Sequence, residues 1–238
     1  MKNHMNVLES HRIAAVDNAA LCAAMWRAHG LEVEAGDGFV ACSGPPPPLY
    51  PDAVTVDPRC DPVRQARLIC KRASQASRPY VVKDSFRALA LGGAGFEPLF
   101  HASWIRRAVC AVAGETRLDW RPVVDLRDEL STWEAAWGGS ADGPPIFLPG
   151  FLSSPEVTIL AGWAGAEIVA GCVVTEAGAT AGVSNIFGDT AEVILAAASA
   201  FAGRDLVGYE YGDALSAALM AGFEVVGGLT VWRRDAGA

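Results

Sequence analysis

The chain has 238 residues, 51% of them hydrophobic and 19% charged, a composition typical of a folded globular protein rather than of a disordered one. No apolar run approaches the roughly 20 residues that a membrane-spanning helix requires, and the first residues do not resemble a secretory leader. The net charge is −8, with 13 basic and 11 acidic residues in 1–115 but 6 and 16 in 116–238. We therefore expect a cytoplasmic protein that binds neither membrane nor nucleic acid.

The cysteine spacing argues against a metal or redox site. None of the six cysteines forms a C-x-x-C pair, and no histidine stands at the spacing of a zinc ligand. We expect reduced thiols and no bound metal.

In the first half, the apolar pattern predicts a helix over 18–29, strands within 31–41 and over 53–56, and a helix over 62–75. Asp61 is a good N-cap for the last of these helices, and Pro62 suits its first turn. A strand, a helix and a second strand are then expected between 80 and 107.

The second half is predicted to begin with a helix near 126–137. Three strands follow, at 157–163, 167–176 and 180–187, and glycine-containing turns join them. A helix comes next, at 190–202. This half closes with a strand, a helix, a glycine and a last strand.

The two halves end in similar segments. GAGFEPLFHASWIRR ends at Arg107 and MAGFEVVGGLTVWRR at Arg234, so that Gly95 and Gly222 lie 127 residues apart. In both segments the glycine can end a helix in a left-handed conformation, and the following Phe can fold back onto it. We interpret the chain as a tandem duplication with units 1–115 and 116–238, joined near residues 114–119.

The second half resembles the GNAT superfamily of acyl-CoA-dependent N-acetyltransferases. The likeness is carried by EIVAGCVVTEAGATAGVSNIFGDTAEVILAAASAF and LVGYEYGDALSAALMAGFEVVGGLTVWRR, and it covers most of residues 120–234. PYVVKDSFRALALGGAGFEPLFHASWI resembles a shortened unit of the same kind. The resemblance implies an α/β fold with a mixed sheet, built from two tandem GNAT-like units of which the first is shortened.

The resemblance also implies acetyl-CoA as cosubstrate, with its diphosphate held by backbone N–H groups at a strand-to-helix turn. A helix N-terminus suits a diphosphate because its amides are unpaired and carry partial positive charge. The family motif, Q/R-x-x-G-x-G/A, is degenerate here: no Arg or Gln precedes the turn, and Asp189 adds negative charge. The matching cofactor-binding residues are Ile186, Phe187, Gly188, Asp189, Thr190 and Ala191.

In the first half, the corresponding turn is basic instead. Arg64, Arg67 and Lys71 share one helix face, with Arg59 just before the helix. This cluster is either a clamp for an anionic ligand or a solvated basic surface. Nucleic-acid binding through it is disfavoured by the acidity of the chain.

Acyl transfer to an amine needs groups that move protons. The family often places a Tyr acid four residues before the glycine of Gly-Phe, but these positions hold Ala218 and Leu91. Glu210 and Tyr211, at the carboxyl end of a strand, and Asn185, on the strand before the turn, are the predicted catalytic residues. Glu176 and Ser184 are further candidates.

The predicted function is therefore an acetyl-CoA-dependent N-acetyltransferase that acts on a small-molecule amine or a protein amino group. The alternative is a catalytically inactive GNAT-like protein with a binding or interaction role. A monomer with pseudo-dimeric repeats, or a homodimer, is expected.

Overall fold

The structure is a computed structural model that describes residues 6–109, 115–125, 127–139 and 143–237. The chain divides into two compact units. The first unit contains the residues up to Trp104 together with those from Val226 onward, and the second contains Ile105–Val225. Within the described ranges, no helix is both long and apolar enough to cross a membrane.

The first unit combines a mixed sheet with two helices. Its elements are α1 (Val7–Ala28), β1 (Val33–Gly36), β2 (Phe39–Cys42), β3 (Ala53–Thr55), α2 (Pro62–Gln75), β4 (Tyr80–Asp84), most of β5 (Glu97–Arg107) and most of β11 (Glu224–Arg234). The strand order is β1-β2-β3-β4-β11-β5. β3 and β4 are parallel, whereas β1–β2, β2–β3 and β4–β11 are antiparallel.

The second unit also has a mixed sheet. Its elements are β6 (Asp119–Pro122), α3 (Asp128–Trp137), α4 (Pro149–Leu152), β7 (Val157–Ala164), β8 (Glu167–Ala177), β9 (Thr180–Phe187), α5 (Thr190–Ala200), β10 (Asp205–Glu210) and α6 (Gly212–Met220). From the end of β5 the strand order is β5-β10-β9-β8-β7-β6. β6 to β9 form an antiparallel meander, and β9 and β10 are parallel.

Each sheet is covered by helices whose apolar faces follow the helical period. In α2, the buried residues Gln65, Ile69 and Ala73 recur every four positions, and the Asp61 side chain accepts a hydrogen bond from the Val63 N–H at 2.9 Å. In α5, Val193 and Ala197 are fully buried in the core of the second unit. These observations confirm the predicted α/β class with a mixed sheet, whereas the duplication stays a prediction.

Two predicted helices were wrong in extent or in kind. α1 begins at Val7, eleven residues before the predicted start, where the Asn6 side chain caps it by accepting from the Leu8 N–H at 3.1 Å. Its first turns bury polar side chains, including Ser10 and His11, so the hydrophobic pattern did not reveal them.

The helix predicted between β4 and β5 is absent. Residues 92–94 form a single 3-10 turn, and the preceding residues form a loop. The Asp84 carboxylate organises this loop by accepting from the N–H groups of Phe86, Ala88 and Leu89, at 3.4, 3.2 and 2.9 Å. An Asp side chain that bonds to nearby backbone amides competes with helix formation, which is the physical reason for the error.

Candidate active site

The second unit opens between β9 and β10. Thr180–Gly182 of β9 pair with Asp205–Val207 of β10, and both strands then continue without pairing to each other. A cavity of about 110 Å³ lies between their unpaired ends. Most of its lining is apolar, contributed by Ile105, Val183, Ile186, Ile194, Ala218 and Phe223. Ligands of α/β proteins commonly bind at such a carboxyl end of parallel strands.

Glu210 is the carboxyl group in the lining of this cavity, which also includes Tyr209. It is the last residue of β10 and is partly buried. Burial raises the pKa of its carboxyl group to about 7, since an apolar environment disfavours the carboxylate. A carboxyl group with a pKa near neutrality can gain or lose a proton under physiological conditions, as a general base must.

A β-bulge in β9 lies beside the cavity. The register steps from Val173–Ser184 to Gly171–Phe187, so β9 carries one extra residue there. Asn185 takes a left-handed conformation at the bulge, with φ of 52°. Because bulged residues leave the hydrogen-bond ladder, backbone N–H groups here can point at a ligand.

The turn after β9 requires glycine at its centre. Gly188 has φ of 84°, and a Cβ atom at this position would lie 2.6 Å from Ala170 Cβ and 2.8 Å from the Val169 carbonyl oxygen. The turn therefore packs against β8 too closely for any side chain. This accounts for the one glycine of the family motif that the sequence retains.

The N-terminus of α5 is capped by the carboxylate of Asp189. Asp189 Oδ1 accepts from the N–H groups of Ala191 at 3.0 Å and Glu192 at 3.3 Å. Asp189 Oδ2 also accepts from Arg117 Nη2 at 2.8 Å, and Arg117 Nε lies 3.2 Å from Glu192 Oε2. The hydrogen bond from Arg117 is the main reason that the pKa of Asp189 is lowered, so this carboxylate stays charged.

Glu192 is fixed more firmly than Asp189. Its side chain is buried, and Oε1 accepts from the backbone N–H groups of Arg117 at 2.7 Å and Leu118 at 3.1 Å, and from Trp120 Nε1 at 3.3 Å. The segment before β6 is thereby tied to the start of α5. Arg117, Asp189 and Glu192 are called the capping triad below.

The structure separates the predicted cofactor-binding residues. Ile186 and Thr190 line the cavity. Phe187 instead packs edge-on against the buried ring of Trp133, with centroids 5.3 Å apart. Asp189 and the Ala191 N–H belong to the cap. The assignment of all six residues to a cofactor remains a prediction.

Of the predicted catalytic residues, Glu210 is in the cavity lining, which includes neither Asn185 nor Tyr211. Tyr211 is 55% exposed. Ala218 lines the cavity at the position where the family often has an acid. Glu176 forms a 2.8 Å ion pair with Arg204.

Arg117 was missed by the sequence analysis, which placed it in the linker between the two predicted units. It lies 72 residues from Asp189 in sequence and is brought to it by pairing of the neighbouring β6 with β7. No local pattern could have revealed this ion pair, since only the tertiary fold creates it.

The basic face of the first unit is partly neutralised. Two of the four cluster residues form ion pairs, Arg59 with Asp57 at 2.8 Å and Arg64 with Asp37 at 2.7 Å, and the neighbouring Arg72 pairs with Glu34 at 2.8 Å. These pairs weaken the interpretation of the cluster as an anion clamp, because two of its charges already have partners. Such exposed pairs contribute little to stability.

The described cysteines are free, and within the described residues no group of acidic, His or Cys side chains could hold a metal ion. Cys172 and Cys22 are buried, and burial raises the pKa of both thiols. Cys110 lies outside the described residues.

No family model matches the sequence, and no curated protein does either. Solved structures do match. A GCN5-related N-acetyltransferase from Kribbella flavida is 14% identical with a TM-score of 0.61, and the match covers 92% of this chain and 96% of that protein. One from Sphaerobacter thermophilus is 13% identical with a TM-score of 0.53, covering 92% and 91%.

A conserved protein of unknown function from Staphylococcus epidermidis ATCC 12228 is 11% identical, with a TM-score of 0.52 and coverage of 73% and 79%. These structural matches establish the fold. At identities this low they do not establish the activity, which has to be argued from the residues of the site. The chain has the fold of the GCN5-related N-acetyltransferases.

Proposed function

We propose that the second unit transfers an acyl group from a thioester to a primary amine, with Glu210 as the general base. The observation that carries this proposal is the position of Glu210, a carboxyl group with a pKa near 7 in the lining of an apolar cavity between splayed parallel strands. Proton transfer by a positioned group of this kind contributes about 10² to 10⁴ to the rate.

The acceptor enters as an ammonium ion and gives up two protons, of which the thiolate takes up one. Glu210 takes the first proton from the ammonium group and releases it to solvent, and the neutral amine attacks the thioester carbonyl. A C–N bond forms, Glu210 takes the second proton from the attacking nitrogen, and the C–S bond breaks, leaving an amide and a thiolate. The protonated Glu210 returns this proton to the thiolate, a role that falls to it because Ala218 offers no acid.

Negative charge develops on the carbonyl oxygen during the attack. Donors fixed at that oxygen lower the barrier, and removing one costs about 10² to 10³ in rate. In this proposal, a backbone N–H of the bulge at Asn185 supplies the donor. The side chain of Asn185 is not needed for this role.

Acetyl-CoA is the donor that the fold suggests, and its two ends fit the site differently. The apolar cavity, of about 110 Å³, suits an acyl group and the uncharged thioester end of the arm. The N-terminus of α5 does not suit a diphosphate, because Asp189 accepts from the Ala191 and Glu192 amides. The proposal therefore requires a thioester and takes no step through the diphosphate.

A second candidate is a non-catalytic binding protein. It is favoured by Ala218, which removes the expected acid, and by the capping triad. We propose that the acceptor is a small-molecule amine or a protein amino group. Because a non-catalytic protein could also bind such an acceptor, only a measurement of acyl transfer to it separates the two candidates.

Thiol release tests the proposal. The protein is incubated with S-acetyl-pantetheine or acetyl-CoA and a panel of amines comprising spermidine, lysine and short peptides, and free thiol is measured. We expect amine-dependent release whose kcat/KM rises with pH to an inflection near 7. Glu210→Gln should lower kcat/KM at least 100-fold.

Glu167→Gln is the matched control, because it makes the same change in the same unit at an exposed carboxylate of β8 outside the cavity lining. It should change kcat/KM less than threefold. No amine-dependent release with any pair of substrates, or full activity in Glu210→Gln, would refute the proposal and favour the non-catalytic candidate.

A further inference from the structure

The capping triad has a consequence for the kind of thioester that the second unit can use. We infer that the donor is recognised through its acyl group and uncharged pantetheine-type arm, and that a nucleotide diphosphate contributes nothing to its binding. This inference rests on the proposed acyl transfer.

Two of the helix-start amides that a diphosphate would need already have an acceptor. The first amides of a helix bind phosphate because they have no partner within the helix. In α5, one oxygen of Asp189 accepts from both the Ala191 and the Glu192 N–H groups. A phosphate could reach these amides only by displacing a charged hydrogen-bond acceptor from the same chain.

The charge at the turn also opposes a diphosphate. Asp189 and Glu192 contribute two carboxylates, and Arg117 contributes one cation that both of them share. The local balance is therefore negative before any ligand arrives, within a half of the chain that carries 16 acidic and 6 basic residues. Like charges at such short range disfavour binding.

The arrangement has little freedom to rearrange around a ligand. Two backbone amides and the Trp120 indole N–H hold Glu192, and Glu192 in turn holds Arg117. Arg117 cannot follow a phosphate away from the turn without leaving the buried Glu192 carboxylate short of a partner, which is costly. The lining of the cavity between β9 and β10 includes none of the three residues of the capping triad, so an uncharged arm can still enter it.

Equilibrium binding tests the inference with two probes that share the acyl group and arm. S-Acetyl-pantetheine and acetyl-CoA are titrated into the full chain by calorimetry at about 0.15 M salt. We expect their Kd values to agree within threefold for the unaltered protein. In Asp189→Gly, which frees the amides and removes one charge while glycine remains an acceptable N-cap, acetyl-CoA should bind at least tenfold more tightly and S-acetyl-pantetheine should be unchanged.

Asp189→Asn provides a second variant in case the glycine change unfolds the turn, because Asn keeps a capping oxygen and removes only the charge. It should tighten acetyl-CoA binding by a smaller factor. Arg117→Gln tests the rival arrangement, in which Arg117 leaves Asp189 to hold a phosphate. Our inference predicts that acetyl-CoA binding does not weaken in this variant.

The outcomes separate the two proposals. If acetyl-CoA binds at least tenfold more tightly than S-acetyl-pantetheine to the unaltered protein, or if Arg117→Gln weakens acetyl-CoA binding, the inference is overturned while the acyl-transfer proposal stands. If the unaltered protein binds neither probe at millimolar concentration, the acyl-transfer proposal fails and the inference fails with it.

Discussion

Asp84 and Glu210 are the last residues of β4 and β10, each of which is parallel to a neighbouring strand in its own unit. Asp84 is 1% exposed, and its carboxylate accepts from three backbone amides of the loop that follows. Glu210 is followed by a helix and lines a cavity. A carboxyl group in the same topological position thus organises backbone in one unit and faces a ligand-sized space in the other.

The difference between the two carboxyl groups follows from the segment after each strand. After Glu210 the chain enters α6, whose amides beyond the first turn bond to the helix's own carbonyls, and the carboxyl group lines the cavity. Where the chain forms a loop, the amides need another acceptor, and Asp84 supplies it. The two units also share a closing feature, a left-handed glycine followed by a buried Phe, at Gly95 and Gly222.

The shared closing feature should give the largest effects. Phe96→Ala and Phe223→Ala remove side chains that are 2% and 6% exposed, and each should lower the free energy of unfolding by about 4 kcal/mol. Denaturant unfolding followed by circular dichroism measures this. Leu99→Ala, at a half-exposed position of β5, is the control and should cost well under 1 kcal/mol. Unequal losses for the two Phe variants would show that the closing feature is not equivalent in the two units.

Replacing Asp84, whose carboxylate organises the loop after β4, should have the next largest effect on the free energy of unfolding. Asp84→Ala leaves three backbone amides without their acceptor, and we expect a loss of about 3 kcal/mol in the free energy of unfolding. Asp84→Asn retains one acceptor oxygen and should lose less. Hydrogen exchange at Leu89, whose N–H donates to Asp84 at 2.9 Å, should accelerate in the Ala variant. Unchanged exchange at this amide would contradict the role assigned to Asp84.

Replacing Glu210 should raise the free energy of unfolding at neutral pH instead of lowering it, and this should be the smallest of the three effects. Its pKa is raised from 4.5 to about 7 in the folded protein, so between these values the folded state holds a proton that the unfolded state has lost. Stability therefore falls as the pH rises through this window, by about 2 kcal/mol after allowance for partial exposure. Glu210→Gln should match the unaltered protein below pH 4.5 and exceed it at pH 8.

Unfolding measured in parallel on both proteins from pH 4 to pH 8 checks this prediction, because the difference between them cancels the titration of other groups. A difference that does not vary with pH would mean that Glu210 is solvated, and would remove the basis for its proposed role as a base. The same result would erase the contrast between Glu210 and Asp84.

Much of the fold could be predicted from local pattern. α2 runs over the predicted residues from Asp61 as its cap, and β7 to β9 lie within one residue of their predicted bounds and are joined by the predicted glycine-containing turns. At the end of α6, Gly222 N–H donates to Leu219 O and Phe223 N–H to Ala218 O, the pattern that a left-handed glycine followed by an apolar residue indicates. These features depend on neighbours in sequence, which is why a pattern can find them.

The parts that could not be predicted depend on contacts between distant residues. The sequence between β4 and β5 favours a helix, but Asp84 stabilises a loop there through bonds that a hydrophobic pattern does not encode. The pKa of Glu210 depends on burial by α5, α6 and β9. The partner of Asp189 is Arg117, which lies just before β6 and 72 residues earlier in the chain. Sequence alone identified Glu210 and Asp189 as residues of interest, and only the fold distinguished an available carboxyl group from one that is already paired.

The position of β11 has a consequence for how the protein is made. The strand pairs with β4 in the first unit, yet about 120 residues separate Trp104 from Val226. At a translation rate of roughly 5–20 residues per second, the ribosome needs on the order of ten seconds to produce the strand that covers the open edge of β4. Synthesis of the first unit therefore begins first, but this unit is complete only when β11 has been made. The second unit can fold during that interval.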